Sequence, residues 1–400
     1  MDKIEELLNR GVDQVIPSKQ KLRNVLRTSK KLRVYQGFDP SSPLLHIGHM
    51  IGLRKLREWQ DLGHEVIFLI GDFTGRIGDP TGREKTRPLL SKKTVEENAK
   101  TYQEQAGKIL DFSGKNPVKI KFNSQWLEKL SVPEILNLYS QVTYQQIIKR
   151  GMFKKRLEKD EDISFNEITY PIMQGYDSVA MDVDVEVGGR DQLFNMMIGR
   201  DLMHKMKHKN KFVMTTQLLV DSQGNKIGKT EGNAIALTDT PQKIFGAIMN
   251  VPDDVIVKGL ECLTNVPHEE IKSAKNAIQR GQNPLQFKKT LAFEVVKQLD
   301  GQITAQRTQE EFEKVVQKKE LPTFIPTVRA SGATISEAIV SSGVSSSISQ
   351  TKQLINQSGL SGTTSLQEPF KPITNPKAPF ESDIYVKKGI NIVKLEKEEK

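Results

Sequence analysis

A parallel-sheet α/β fold, followed by an all-helical stretch and a small mixed tail, is predicted by three features of this 400-residue chain. Strand-like and helix-like segments alternate over the first 220 residues, the pattern of a parallel sheet wrapped by helices. From Thr240 to about Val316 the apolar spacing becomes helical throughout. After a Pro- and Gly-punctuated stretch at 319–332, two short helices and a hairpin close the chain.

Within the first part, Arg33–Phe38 reads as a strand that runs into a loop rich in Pro and Ser. A helix from about Gly48 to Leu62 follows, with Leu53, Leu56 and Trp59 at helical spacing. Glu65–Ile70, Val118–Phe122, Val183–Val187 and Lys211–Val220 read as further strands. In the second part Leu285, Ala292, Val295 and Leu299 share one helix face, with Gly281 and Pro284 marking its start. In the tail, Thr334–Val340 and Thr351–Leu354 suggest helices, and Ile384–Val386 with Ile390–Leu395 a hairpin around Lys387-Lys388-Gly389. The expected division is 1–235, 236–320, a linker at 321–333, and 334–400.

Composition is that of a globular protein, 36% hydrophobic and 27% charged, and no apolar run reaches the roughly 20 residues of a membrane span. The acidic N-terminus, Met1-Asp2-Lys3-Ile4-Glu5-Glu6, has the build of neither a secretory signal nor a transit peptide. A single cysteine, Cys262, excludes an internal disulfide framework and a Cys-based zinc site, and a cytoplasmic location is expected. The formal charge of +10 favours polyanionic partners. Almost all of it lies before residue 330, because 330–400 holds eight Lys against seven acids.

Two segments point to phosphate chemistry. His46-Ile47-Gly48-His49 follows a strand and opens a helix, where backbone N–H groups and the helix dipole hold anions. Gly48 allows close approach of a ligand, and imidazoles three positions apart point to one side. A histidine pair in a partly buried turn and a metal pair are the other readings, but for a metal a third ligand is not found. Lys226-Ile227-Gly228-Lys229-Thr230 lies about 180 residues later in a cationic, Gly-flanked loop. Such a loop can close over a triphosphate and neutralise departing pyrophosphate.

Together with Asp39-Pro40-Ser41, these segments resemble the HIGH and KMSKS signatures of class I aminoacyl-tRNA synthetases. Further stretches narrow the resemblance to the bacterial-type tyrosyl-tRNA synthetase family. They are Tyr35-Gln36-Gly37-Phe38-Asp39, Gly78-Asp79-Pro80-Thr81-Gly82, Tyr170 through Asp177, and Gly188-Gly189-Arg190-Asp191-Gln192. The resemblance spans essentially the whole chain. It implies a Rossmann-like catalytic domain, a helical domain for tRNA, and a small C-terminal α/β RNA-binding domain. It also implies a homodimer using L-tyrosine, ATP with Mg²⁺, and tRNA(Tyr), with no resident metal or prosthetic group.

Tyr170, Gln174 and Asp177 stand at i, i+4 and i+7, one face of a helix expected to carry Pro171 in its first turn. A phenol needs an acceptor for its O–H and takes a donor at its oxygen. Asp177 can be the acceptor and Tyr35 the donor, the pairing the family implies. The resemblance further assigns Asp79, Tyr170 and Gln174 to the substrate ammonium. It assigns Ser41, His46 and the lysine loop to the phosphates, His49 and Asp191 to the ribose, and Gln192 to the tyrosine carboxylate and α-phosphate. Arg83 and Arg87 match a loop that clamps pyrophosphate. Ser41 stands where threonine is common, and Glu84 puts an acid where many relatives carry lysine.

The basic runs Lys149–Arg156 and His204–Lys211 are candidates for tRNA phosphates, although lysines ending a helix also serve its dipole. Tryptophanyl-tRNA synthetase shares this architecture but gives no reason for the Tyr35/Asp177 pair. A paralogue without catalysis, or a smaller nucleotidylyltransferase, fits the intact motifs and the long tail less well.

Overall fold

The protein's structure, a computed structural model, describes residues 2–81, 89–228, 234–317, 321, 325–389 and 391–398. Two compact units divide it, residues 1–306 and 307–400.

The first unit is organised around a six-stranded sheet. Its strands are β1 (Val12–Ile16), β2 (Arg33–Phe38), β3 (Glu65–Ile70), β4 (Lys119–Phe122), β5 (Val185–Gly189) and β6 (Phe212–Thr216). They lie in the order β1-β6-β5-β2-β3-β4, and only β1 is antiparallel to its neighbour. Near-continuous apolar runs such as Val66-Ile67-Phe68-Leu69-Ile70 suit strands covered on both faces. The chain proceeds from β2 through β3 to β4 on one side, then returns to β5 and β6 on the other. The order therefore reverses between β2 and β5, the place where open α/β sheets bind ligands at their carboxyl ends.

β2 and β3 have the bounds the sequence predicts. β1 is a difference: its polar Asp13 and Gln14 conceal an edge strand that borrows its partner, β6, from about 200 residues away. The helix carrying Tyr170 differs too. It runs over Phe165–Met181, with Ser164 and Glu167 forming a capping box at its start, so Pro171 lies inside it and not in its first turn. Proline removes the hydrogen bond that its missing N–H would have given to the Glu167 carbonyl, and its ring crowds that carbonyl. This helix crosses the one at Leu193–Lys207 closely, for a Cβ on Gly175 would stand 3.0 Å from the Gly199 nitrogen.

The same region turns two of the expected tRNA-facing cations inward. Arg156 is buried and forks onto Glu167 at 2.9 and 3.1 Å. Lys211 is fully buried as well. Breaking a buried ion pair leaves an uncompensated charge and costs about 3–5 kcal/mol. Glu167→Gln is therefore expected to lower the melting temperature by about 5 °C or more, measured by thermal unfolding. An unchanged melting temperature contradicts this.

Residues 256–300 form the helices Ile256–Leu263, His268–Gln279 and Leu285–Asp300, as their periodicity predicts, and belong to the first unit. Arg54, on the helix Ile47–Asp61, donates to the Cys262 and Thr264 carbonyls at 3.2 and 2.6 Å, tying the two elements together.

In the second unit, β7 (Thr327–Ala330), β8 (Leu360–Thr363), β9 (Lys371–Pro372), β10 (Ile384–Lys388) and β11 (Asn391–Lys397) form one sheet in the order β7-β11-β10-β8-β9. Helices Ile335–Ser341 and Ile348–Asn356 accompany it around a core including Ile335, Ile339, Ile355, Phe380 and Leu395. The segment expected to be a linker thus contributes a strand, β7, whose parallel pairing with β11 only the folded tail supplies. Lys387 and Lys388, expected in the hairpin turn, belong to β10.

Candidate active site

The loop after β2 leads to His46, which caps the helix Ile47–Asp61. His46 Nδ1 accepts the Gly48 N–H at 3.1 Å, and His49 Nδ1 accepts the His46 N–H at 3.1 Å. Their ring centroids are 3.8 Å apart. A neutral imidazole that accepts through Nδ1 carries its proton on Nε2. Both rings therefore carry an Nε2–H beside a helix N-terminus, a place suited to phosphate oxygens. Gly48 leaves room for this close, tilted approach, since a Cβ there would lie 3.0 Å from the His46 ring.

The described residues on either side of positions 229–233 pack on this same turn. The Ile47 N–H donates to the Ile235 carbonyl and the Leu237 N–H to the Leu45 carbonyl, each at 2.9 Å. Gly228 has φ +70°, and a Cβ on it would stand 2.4 Å from Ile47 Cγ2. Only glycine suits both the conformation and the contact. Lys226 Nζ pairs with Asp191 at 2.5 Å. The expected phosphate lysine and the expected ribose carboxylate are thus partners. Ser41 is exposed on the loop after β2. Arg83, Glu84, Arg87, Lys229 and Thr230 lie outside the described residues.

Deeper in, Asp177 is 2% exposed. Its Oδ1 accepts Trp126 Nε1–H at 2.8 Å and its Oδ2 accepts Asn123 Nδ2 at 3.2 Å. Burial pushes this carboxyl well above the usual range, and those two hydrogen bonds oppose the rise. Trp126 packs on the cluster of Tyr35, Ile67, Leu69, Met181 and Val183. The Tyr35 hydroxyl shares a 2.8 Å hydrogen bond with Ser178 Oγ. Burial, then the charges of Glu186 and Asp177, push its pKa well up.

Asp39 joins the end of β2 to two other elements. Its Oδ2 accepts the Tyr170 hydroxyl at 2.8 Å and its Oδ1 the Thr74 hydroxyl at 2.7 Å. Gly71 makes space for it, as a Cβ there would lie 2.0 Å from Oδ1.

A second network links three of the expected substrate contacts. Gln192 Nε2 donates to Asp79 Oδ2 at 2.6 Å, and Asn195 Nδ2 donates to Gln192 Oε1 at 3.0 Å and Gln174 Oε1 at 2.9 Å. Arg150 braces it, donating to Asn195 Oδ1 at 3.1 Å and Thr81 Oγ1 at 2.9 Å while its guanidinium lies over the Phe194 ring. Arg150 is thereby tied into this network.

The structure brings Asp79, Gln174 and Gln192 into one network and Lys226 onto Asp191. It does not pair Tyr170 with Asp79 directly, since Asp39 takes its hydroxyl. Sequence reading missed Asp39, Thr74, Asn123, Trp126, Arg150, Ser178 and Asn195. Asp39 and Arg150 sit inside segments already singled out and Ser178 adjoins one, so adjacency was their one available signal. Asn123 and Trp126 carried none.

The family described as "tRNA synthetases class I (W and Y)" matches residues 27–317. The tyrosine–tRNA ligase of Thermotoga maritima is 42% identical over 358 residues, covering 89% of this chain and 88% of the relative. That of Carboxydothermus hydrogenoformans is 42% identical over 366 residues, with 88% of each chain covered. Among solved structures, a C-terminally truncated mitochondrial tyrosyl-tRNA synthetase of Coccidioides posadasii superposes with a TM-score of 0.62 at 25% identity, covering 77% of this chain and 91% of that one. The chain therefore belongs to the class I tRNA synthetases of the tryptophan and tyrosine group, and its activity is that of a tyrosine–tRNA ligase acting on tyrosine, ATP and tRNA.

Proposed function

We propose that the buried end of this site takes the tyrosine phenol, its middle the ammonium, and the histidine turn with the lysine loop the triphosphate. The observation that carries this is the Asp79–Gln192–Asn195–Gln174 network, with buried Asp177 on the same helix as Gln174 and Asp191, the partner of Lys226, next to Gln192 in the chain. Asp177 accepts the phenol O–H and Tyr35 donates to its oxygen. Asp79, Gln174 and Tyr170 hold the ammonium, and Gln192 orients the carboxylate against the α-phosphate. Ser41, His46, His49, the Gly48 backbone, Lys226 and Lys229 with Thr230 hold ATP, with Arg83 and Arg87 on the pyrophosphate. Lys226 exchanges Asp191 for phosphate as ATP arrives, which leaves Asp191 for the ribose.

The tyrosine carboxylate attacks the α-phosphorus of Mg²⁺-bound ATP, forming tyrosyl-adenylate and releasing pyrophosphate. The terminal ribose hydroxyl of tRNA then takes the tyrosyl group and AMP departs. No protein nucleophile is required, because both attacking oxygens come from substrates. Catalysis is positioning and stabilisation of developing charge. Lys229→Ala is expected to slow adenylate formation roughly 10- to 100-fold with little change in tyrosine affinity. Unchanged pre-steady-state activation removes the lysine loop from this reading.

The same proposal gives residues 236–320 and 334–400 to tRNA, with 321–333 between them, and sets the chain in the cytoplasm as a homodimer. In support of self-association, Val132 and Leu136, one helical turn apart, are 70% and 62% exposed, and Phe165 is 72% exposed. Among the described residues, no helix is long and apolar enough to cross a membrane.

A further inference from the structure

Behind Tyr35 lies a charged cluster that meets the proposed ammonium site through a 3.4 Å bond from Gln174 Nε2 to Glu186 Oε1. Lys211 Nζ is ion-paired with Glu186 and donates to Ser178 Oγ at 2.8 Å. Ser178 Oγ shares a 2.8 Å bond with the Tyr35 hydroxyl, in which either oxygen can donate, and is also within donating distance of Glu186 Oε2, at 3.4 Å. Relative exposures are 0% for Lys211 and Ser178, 1% for Tyr35 and 3% for Glu186. Tyr35 on β2 and Glu186 on β5 are register partners, and Lys211 immediately precedes β6. The backbone is shaped for the ammonium, since a Cβ on Gly199 would stand 2.8 Å from Lys211 Nζ.

A buried ion pair is a poor stabiliser compared with apolar packing, so its place beside a substrate pocket calls for another use. Proton bookkeeping supplies one. An ammonium only donates, so Lys211 occupies a lone pair of Ser178 and turns that hydroxyl's proton away from itself. Glu186 is already neutralised by Lys211 and is the more distant acceptor. The shorter contact favours the Tyr35 oxygen as acceptor of the Ser178 proton, which leaves the Tyr35 proton for the pocket, with Glu186 as its competing acceptor.

We infer that Lys211 and Ser178 are positioning residues that fix Tyr35 as a hydrogen-bond donor and so help select a phenol over a phenyl ring. Donation runs one way, from Lys211 to Ser178 to Tyr35 to the substrate oxygen, whose own proton passes to Asp177. Each bond in such a chain polarises the next. The inference rests on the reading that Tyr35 and Asp177 hold the phenol.

The test is a double-mutant cycle in ATP–pyrophosphate exchange on the full-length protein, using Ser178→Ala, Tyr35→Phe and the double variant. The readout is the tyrosine-to-phenylalanine ratio of kcat/KM, in which the fraction of active protein cancels. Ser178→Ala is expected to lower the ratio about tenfold through the KM for tyrosine, with the KM for ATP unmoved. Added to Tyr35→Phe, it should change the ratio no further, because the relay already ends there. If Tyr35→Phe lowers the ratio and Ser178→Ala does not, or if the two effects add, the relay is wrong while the phenol site stands. An unchanged ratio in Tyr35→Phe overturns the phenol reading itself, and the relay with it.

Discussion

Asp177→Ala is expected to lower kcat/KM for tyrosine by roughly 100- to 1,000-fold in ATP–pyrophosphate exchange, with the KM for ATP little changed. Two effects combine. The first is loss of the hydrogen bond between the phenol and a buried carboxylate, about 1.5–3 kcal/mol. Since about 1.36 kcal/mol is tenfold in rate, that bond alone gives some 10- to 150-fold. The second is damage to the pocket, because Trp126 Nε1 and Asn123 Nδ2 lose their shared acceptor. Burial holds the Asp177 carboxyl well above its ordinary range, and a bound phenol favours the ionised form. Tyrosine binding then releases a proton from any protonated Asp177. The KM for tyrosine should accordingly fall as pH rises from the usual carboxylate range through that raised value. A tyrosine kcat/KM within a few-fold of the parent would remove Asp177 from the phenol site.

His46→Asn is expected to slow adenylate formation by roughly 100- to 1,000-fold, the usual loss when a preorganised donor to a developing oxyanion is removed. Asparagine is a good helix cap, so the variant keeps an acceptor for the first-turn N–H groups while losing the imidazole Nε2–H. Its melting temperature should stay near the parent's. His46→Ala should show the same kinetic loss plus about 1 kcal/mol of instability from the missing cap. Rapid-quench measurement of adenylate formation, beside thermal unfolding, separates the two roles. Full activation by His46→Asn would reduce His46 to a helix cap.

Part of the site is legible in the sequence, for a local reason. The strand Arg33–Phe38, the turn His46–His49 and the helix face of Tyr170, Gln174 and Asp177 are each defined by residues within a few positions of one another. Periodicity and glycine placement report on such neighbours directly. The helices between Lys92 and Glu158 are less legible, being short and mostly polar on the outside. Pro171 is a misleading mark of its helix's start, because the Ser164/Glu167 capping box, not the proline, sets where that helix begins.

From sequence alone came the parallel-sheet α/β class, the two phosphate-seeking segments and the preference for a phenol, carried by residue types in short runs and by the family they resemble. The tertiary structure decided which charges are exposed at the surface and which are consumed inside. Arg150, Arg156 and Lys211 looked like surface cations in their basic runs, yet they meet Asn195, Glu167 and Glu186 from other elements. Asp177 gained Trp126 and Asn123, and Tyr35 gained Ser178, across separations of 51, 54 and 143 residues. A side chain's hydrogen-bond partner depends on how strands and helices pack, and packing at that range leaves no mark in the local pattern of a single chain.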